Sequence, residues 1–273
     1  MAPRKQEVAT VAPKASLPSR FEDITDEARL AELEGVEGAG LSDNVEDRGI
    51  PRIAIAQKGS KQVNKKEPKF IDGLEVGNVF NTLTGEMWDA EGDGLPILPC
   101  FMRVIWNQWT PQDQGGGFHG SHPRDCNKAA MGAKPREGRR DIFDLPNGDE
   151  LVLTHDYYCV LPESWTHVVI GMKSTDLSAS QTLQGLIGAR KAMIQNRMIQ
   201  LPAYEKVFTL KTVYDKNDSG DWYRYIVSIT GDNGDPNLRA YCKQFAMACA
   251  RNEVKASAPD SDGPVAAGGD IPV

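Results

Sequence analysis

From Ile50 to Arg251 the chain is a succession of short runs in which apolar and polar residues alternate, broken by only two stretches of helical period. That order constrains the fold more than any other feature. Ile53-Ala-Ile-Ala predicts a strand, and residues 79–83 and 86–90 flank Thr84-Gly85 as a hairpin. A long strand is expected over 97–109, interrupted early by Pro99, with further strands over 151–161 and 165–172. Residues 177–197 carry Leu183, Leu186, Ile187 and Ile194 at helical spacing, with Met198 following. Strands over 206–214 and 222–230 come next, joined by the polar turn Asp215 to Asp221. A last helix over 236–251 places Leu238, Tyr241, Cys242, Phe245 and Cys249 on one stripe.

From residue 97 onward the order is strand–strand–strand–helix–strand–strand. This is the connectivity of an OB-fold, a five-stranded barrel with its helix between strands three and four. The expected class is therefore α+β, mainly β, with extra N-terminal strands and disordered tails. Three regions follow: an acidic N-terminal segment over 1–49, a body over 50–251, and an acidic tail over 252–273. Within the first, Thr25 to Leu33 suits a short helix, and the acidic stretch after it reads as a linker or as a segment docking on the body. The net charge of −7 divides unevenly: −5 falls in 1–49, −3 in 252–273 and +1 in the body. A near-neutral body still accommodates a basic groove, because distribution matters more than the total.

Five dispersed cysteines with no C-x-x-C pair suit reduced thiols, and no long apolar run predicts a membrane span. The expectation is a soluble cytosolic protein. No phosphate-binding, dinucleotide-binding, nucleophile-elbow or zinc-protease motif occurs, so neither an enzyme nor a cofactor is expected. Two alternatives to a catalytic-free reading arise locally. Asp141, Asp144, Asp149 and Glu150 could serve a metal-dependent nuclease, or simply a polar turn around Pro146-Asn147-Gly148. His119, His122 and Cys126 form a partial zinc set that lacks a fourth ligand at paired spacing.

Binding chemistry is better represented. The connection after the first long strand contains Gln114-Gly-Gly-Gly117-Phe118-His119 and then Lys128, Lys134, Arg136, Arg139 and Arg140. Glycines let a ligand approach the backbone closely, and the basic side chains suit phosphates. Lys58, Lys61, Lys65, Lys66 and Lys69 make a second basic stretch, opposed only by Glu67. Aromatics lie among these charges: Trp106 and Trp109 on the first long strand, Tyr157 and Tyr158 on the second, and Trp222, Tyr223 and Tyr225 on the fifth. Adjacent strand residues face opposite sides, so Trp222 and Tyr223 cannot both enter one core. Rings of this kind stack bases, and Arg103 and Arg224 stand beside them as phosphate contacts.

The ending Asp270-Ile271-Pro272-Val273 resembles the acidic tip of bacterial single-stranded DNA-binding proteins, with Val273 where that family has Phe. The resemblance implies docking on replication or recombination enzymes. The body is similar instead to single-stranded DNA-binding proteins of tailed bacteriophages. The stretches carrying the likeness are Ile50-Pro-Arg-Ile, Gly77-Asn-Val-Phe-Asn-Thr-Leu-Thr-Gly85, Gly115-Gly-Gly-Phe-His, Leu145-Pro-Asn-Gly148, Met172-Lys-Ser-Thr175 and Gly220-Asp-Trp-Tyr223. It implies a non-catalytic protein, a possible homo-oligomer, that coats single-stranded DNA in the infected host's cytoplasm during replication, recombination or repair. A phage structural or assembly protein without DNA binding is the rival expectation.

Overall fold

The computed structural model describes residues 49–111, 114–218 and 220–259. The helix expected at Thr25 to Leu33 and the tip Asp270 to Val273 lie outside the described residues. The chain between is mainly β. Its strands are β1 (Arg52–Ile55), β2 (Val79–Asn81), β3 (Met87–Trp88), β4 (Leu95–Thr110), β5 (Gly117–Pro123), β6 (Lys134–Pro135), β7 (Ile142–Asp144), β8 (Glu150–Val160) and β9 (His167–Lys173). After these come α1 (Leu177–Gly188), the strands β10 (Lys191–Ile194), β11 (Arg197–Gln200), β12 (Lys206–Asn217) and β13 (Gly220–Asp232), and finally α2 (Pro236–Ala250).

All strands except β10 and β11 join one curled sheet, whose main path runs β13-β12-β4-β8-β9-β1-β2-β3. Strands β4, β8 and β9 follow one another antiparallel, and β12 returns to lie beside β4. That spatial order, fourth–first–second–third, is a Greek key. Strand β4 is long enough to serve three neighbours: β8 along one edge, and on the other β12 at Leu95–Ile97 and β5 at Ile105–Thr110. Pro99 supplies no N–H to the ladder, and the β4–β8 register shifts between Pro99 and Phe101.

The expected five-stranded barrel is met only in part, because the sheet has more strands and does not close on itself by direct pairing of β9 with β13. The outer edge of β9 is taken by β1, which pairs with it in parallel. Side chains link β13 to that region instead. The Gln57 amide donates to the Tyr223 carbonyl (2.6 Å) and accepts from the Tyr223 N–H (2.8 Å), as a strand neighbour would. The Asp176 carboxylate accepts the Tyr225 N–H at 2.8 Å, and on the neighbouring β12 Thr212 Oγ1 donates to the Gly77 carbonyl at 2.6 Å.

Strict alternation divides the core. On β8, Tyr157 and Cys159 face the inside of the curl, where Ile97, Ile170, Phe208 and Leu210 pack and α1 inserts Ala179 and Leu183. Tyr158 and Val160 face the other way, beneath Leu238, Cys242, Phe245 and Cys249 of α2. Each of these large apolar side chains contributes about 1.5–3 kcal/mol through burial. Helix α2 starts at Asp235, whose carboxylate accepts the Asn237 N–H, with Pro236 in the first turn where no N–H is needed. All five cysteines are unpaired thiols.

Three expectations are corrected. The helix expected over 177–197 stops at Gly188, and the rest of that stretch forms the hairpin β10–β11. Gln195 and Asn196 both take positive φ, the conformation of a two-residue hairpin turn, which a helical reading of Ile194 and Met198 overlooks. The connection over 111–150 is also no plain loop. Its β5 folds back on β4, while β6 and β7 extend the sheet beside β8. The turn expected over 215–221 is shorter too, because β12 and β13 pair as far as Asn217 and Gly220.

Candidate nucleic-acid interface

Three segments distant in sequence converge on one open cleft of about 980 Å³. The connection between β4 and β8 brings Arg139, Arg140 and Asp141. The turn after β9 and the first turns of α1 bring Ser174, Thr175, Ser178 and Thr182, and the tip of the β12–β13 hairpin brings Asp215, Lys216, Trp222 and Arg224. Four cations thus face two carboxylates. Arg139 is held by Asp141 (2.8 Å) and Arg224 by Asp215 (2.8 Å), whereas Arg140 and Lys216 are exposed and make no ion pair among the described residues. The surplus of two positive charges is therefore the pair not already neutralised. The N-terminal turn of α1 adds the partial positive charge of a helix start. Trp222 is half-buried in the cleft wall, and its indole N–H is buried without a hydrogen-bond partner among the described residues.

Alternation explains why Trp222 is there. Tyr223 and Tyr225 take the opposite face of β13, toward the inner core, so Trp222 and Arg224 face away from it. Tyr225 is buried and closes the cleft floor, and Tyr223 packs against the core and edge-on to Tyr214. Tyr225 is not free for stacking, which corrects its expected role, while Tyr223 is half-buried on that same inward face.

Several other expected contacts are consumed by the fold. Tyr157 is fully buried and its hydroxyl bonds to Ser180, so it cannot meet a base. Trp106 and Trp109 are buried; Lys128 lies over the Trp106 ring at 4.5 Å, and Lys173 over the Trp109 ring at 4.5 Å. Lys128 is thereby a packing cation rather than a free one. Arg103 sits at the C-terminal end of α2, donating to the Cys249 carbonyl (3.1 Å) and to Asn252 (2.7 Å), and its guanidinium lies 5.3 Å from the Tyr158 ring. A cation there complements the helix dipole, which accounts for its position without a ligand. Arg136 is clamped between Asp144 and Glu150, and the Asp144 hydrogen bond raises its pKa.

The lysines at 58, 61, 65, 66 and 69 are all exposed, around a short 3-10 turn (Lys61–Val63) rather than on a strand. Lys58 approaches Asp221 at 3.8 Å, which places the start of this segment beside the β12–β13 tip. Lys134 is exposed on β6. Sequence reasoning missed Lys216, whose signal was weak: one lysine within a polar turn. It also missed the hydroxyl-rich start of α1.

The candidate metal and nuclease residues do not converge. His119 bonds to Thr110 (2.7 Å) and His122 to Gln108 (3.0 Å), and no group of three His, Cys, Asp or Glu residues is placed to hold a metal among the described residues. Asp141 and Asp144 are occupied by Arg139 and Arg136 respectively. Asp149 accepts from Gln108, Thr110 and Asn147. Behind the cleft floor lies a buried polar layer that the sequence did not announce. Arg52 donates two hydrogen bonds to Asp156 (2.9 and 2.7 Å) and a third to the Ser257 carbonyl. Burial raises the Asp176 carboxyl to about 7, against the opposing pull of the Tyr225 N–H and Lys173.

Fold and cleft together define a mainly-β protein with an open, cation-rimmed groove between the β4–β8 connection, the start of α1 and the β12–β13 hairpin. The Pam3 phage gp34-like protein family model matches residues 20–255, and the chain belongs to that family. It is therefore a phage protein. Comparisons with curated proteins and with solved structures give no match. No helix among the described residues is long and apolar enough to cross a membrane.

Proposed function

We propose that this protein binds single-stranded DNA without catalysis, holding the strand in the cleft between Arg140, Lys216 and Trp222. The observation that carries the reading is the convergence of unpaired cations and a partly exposed indole at one groove. The Greek key with a helix before its fourth strand supports an OB-type relationship, with β1 standing where direct closure would occur. In OB-folds the loops between strands one and two and between strands four and five bind oligonucleotides, and those two connections build this cleft. Phosphates meet Arg140 and Lys216, a base stacks on Trp222, and the lysines from Lys58 to Lys69 extend the path beyond the β12–β13 tip.

In this reading the protein acts in the cytoplasm of the infected bacterial host, coating strands exposed during replication, recombination or repair. The acidic tip Asp270 to Val273 recruits partner enzymes. Fluorescence titration with labelled oligothymidylate of about 30 nucleotides tests the binding. Expected is salt-sensitive binding that prefers the single strand to duplex and weakens in Trp222→Ala. No binding at low salt, or equal affinity for duplex, overturns the proposal.

A further inference from the structure

The hairpin β10–β11 stands outside the main sheet. Its strands pair only with each other, Lys191 to Gln200 at the stem and Ile194 to Arg197 at the turn. Met193 and Met198 lie opposite one another and are 64% and 65% exposed; Ile194 is 50% and Ile199 38% exposed. Alternation puts Met193 and Met198 on one face of the ribbon, and Ile194 and Ile199 on the other. A two-stranded hairpin with bare apolar groups on both faces is at best marginal in water. Its stem is nevertheless fixed. The Gln200 amide donates to the Ile187 and Arg190 carbonyls, both at 2.6 Å, and Arg190 donates to the Pro202 carbonyl at 3.4 Å. The result is an anchored stem with an uncovered blade.

The charge around the blade has one sign. No Asp or Glu occurs from residue 177 to 204, while Arg190, Lys191 and Arg197 do. Asp232 interacts electrostatically with Arg190 at the stem and is itself engaged by Lys206. We propose that this hairpin is an arm that grips the bound nucleic acid, Met193 and Met198 wedging between neighbouring bases while Lys191 and Arg197 meet the flanking phosphates. The inference rests on the cleft being a single-stranded DNA site and extends that site along α1. Helix α1 has 12 residues and spans about 18 Å, with its first turns in the cleft wall and its last turn at the arm.

Three features select nucleic acid as the occupant. Bases offer apolar faces beside a regular negative charge, which matches apolar side chains interleaved with cations. A second copy joined arm to arm by two-fold symmetry would set Lys191 and Arg197 near their own equivalents. A membrane-surface element carries one apolar face and one polar face, whereas this ribbon is apolar on both.

The test compares wild type with M193S/M198S and with K191Q/R197Q, on oligothymidylate carrying a single 2-aminopurine. All four positions are exposed, and thermal melting checks that the variants fold. Expected for M193S/M198S is roughly tenfold to hundredfold weaker binding, an unchanged salt slope and loss of the 2-aminopurine enhancement that reports unstacking. K191Q/R197Q is expected to lower the salt slope by about 1.4. Undiminished affinity and enhancement in M193S/M198S, with wild type binding well, overturns the arm and leaves the cleft standing. Wild type failing to bind overturns both. A dimer in wild type that M193S/M198S dissociates overturns the arm in favour of self-association.

Discussion

Two regions of this molecule use the same residue types to opposite ends. Over the β4–β8 face, Arg103 lies between the Tyr158 ring and the end of α2, and Lys128 covers Trp106. Across the cleft and the β10–β11 arm, Arg140, Lys216, Lys191 and Arg197 are exposed beside Trp222, Met193 and Met198. In the first region both cations already have a carbonyl or ring, and binding them to a phosphate would first break that contact. In the second the charges and apolar faces remain unspent. A basic residue next to an aromatic therefore marks a ligand site only where neither is satisfied within the fold.

The sharpest way to break this contrast is to open the closed region. Asp156→Ala leaves the Arg52 guanidinium buried without its carboxylate, and a loss of about 3–5 kcal/mol in stability is expected, measured by urea unfolding. Affinity of the folded fraction for single-stranded DNA should not change. If it falls in step, the two regions are not separate. Next in size, Trp222→Ala should weaken single-stranded DNA binding by about 1–3 kcal/mol while the melting temperature moves little. Equal affinity in the variant would remove the indole from the site.

A pH series probes the closed side again. His167 stacks on Phe245 of α2 with 3.8 Å between ring centres, and burial lowers its pKa to about 4. A base with a depressed folded value takes up protons more readily when unfolded. Its contribution to stability is therefore complete above its ordinary value of 6.5 and shrinks as pH falls toward 4. His167→Phe keeps the stack and should remove roughly 1–2 kcal/mol of that acid-induced loss, read from melting at pH values across the window. Asp176 runs the other way. Its raised value makes its contribution decline as pH rises from the ordinary carboxylate range toward about 7, so the two slopes are separated by also measuring Asp176→Asn.

Smaller effects complete the comparison. Arg103→Ala should cost about 1 kcal/mol of stability through the end of α2, with DNA affinity unchanged. Arg140→Ala should do the reverse, lowering the salt slope of binding by about 0.7 with stability constant. A fall in DNA affinity on losing Arg103 would show that the closed region also meets the ligand.

Much of the scaffold was legible in the residues. The alternation over 97–109, 151–161 and 165–172 reproduces β4, β8 and β9, because half-buried strands require period two whatever they pair with. The α2 stripe survives for the same reason at period 3.6. The arm was not legible, since Ile194 and Met198 fit a helical period as well as a hairpin, and only the positive φ at Gln195 and Asn196 separates them. The expected site was legible in type but not in membership. Arg139, Arg140, Trp222 and Arg224 meet at the cleft, whereas Tyr157, Trp106 and Trp109 are core residues; sequence reports that a ring exists, not which side of a curled sheet it faces.

The sequence by itself determined the order and type of most elements and the concentration of acidity in the two ends. These follow from local periodicity and composition. Tertiary structure alone decided which edge of β9 was covered, which cations were neutralised and which were left free. Those outcomes depend on partners far away in the chain, as when Arg52 meets Asp156 or Gln57 meets Tyr223. A residue's local pattern carries no record of such a partner.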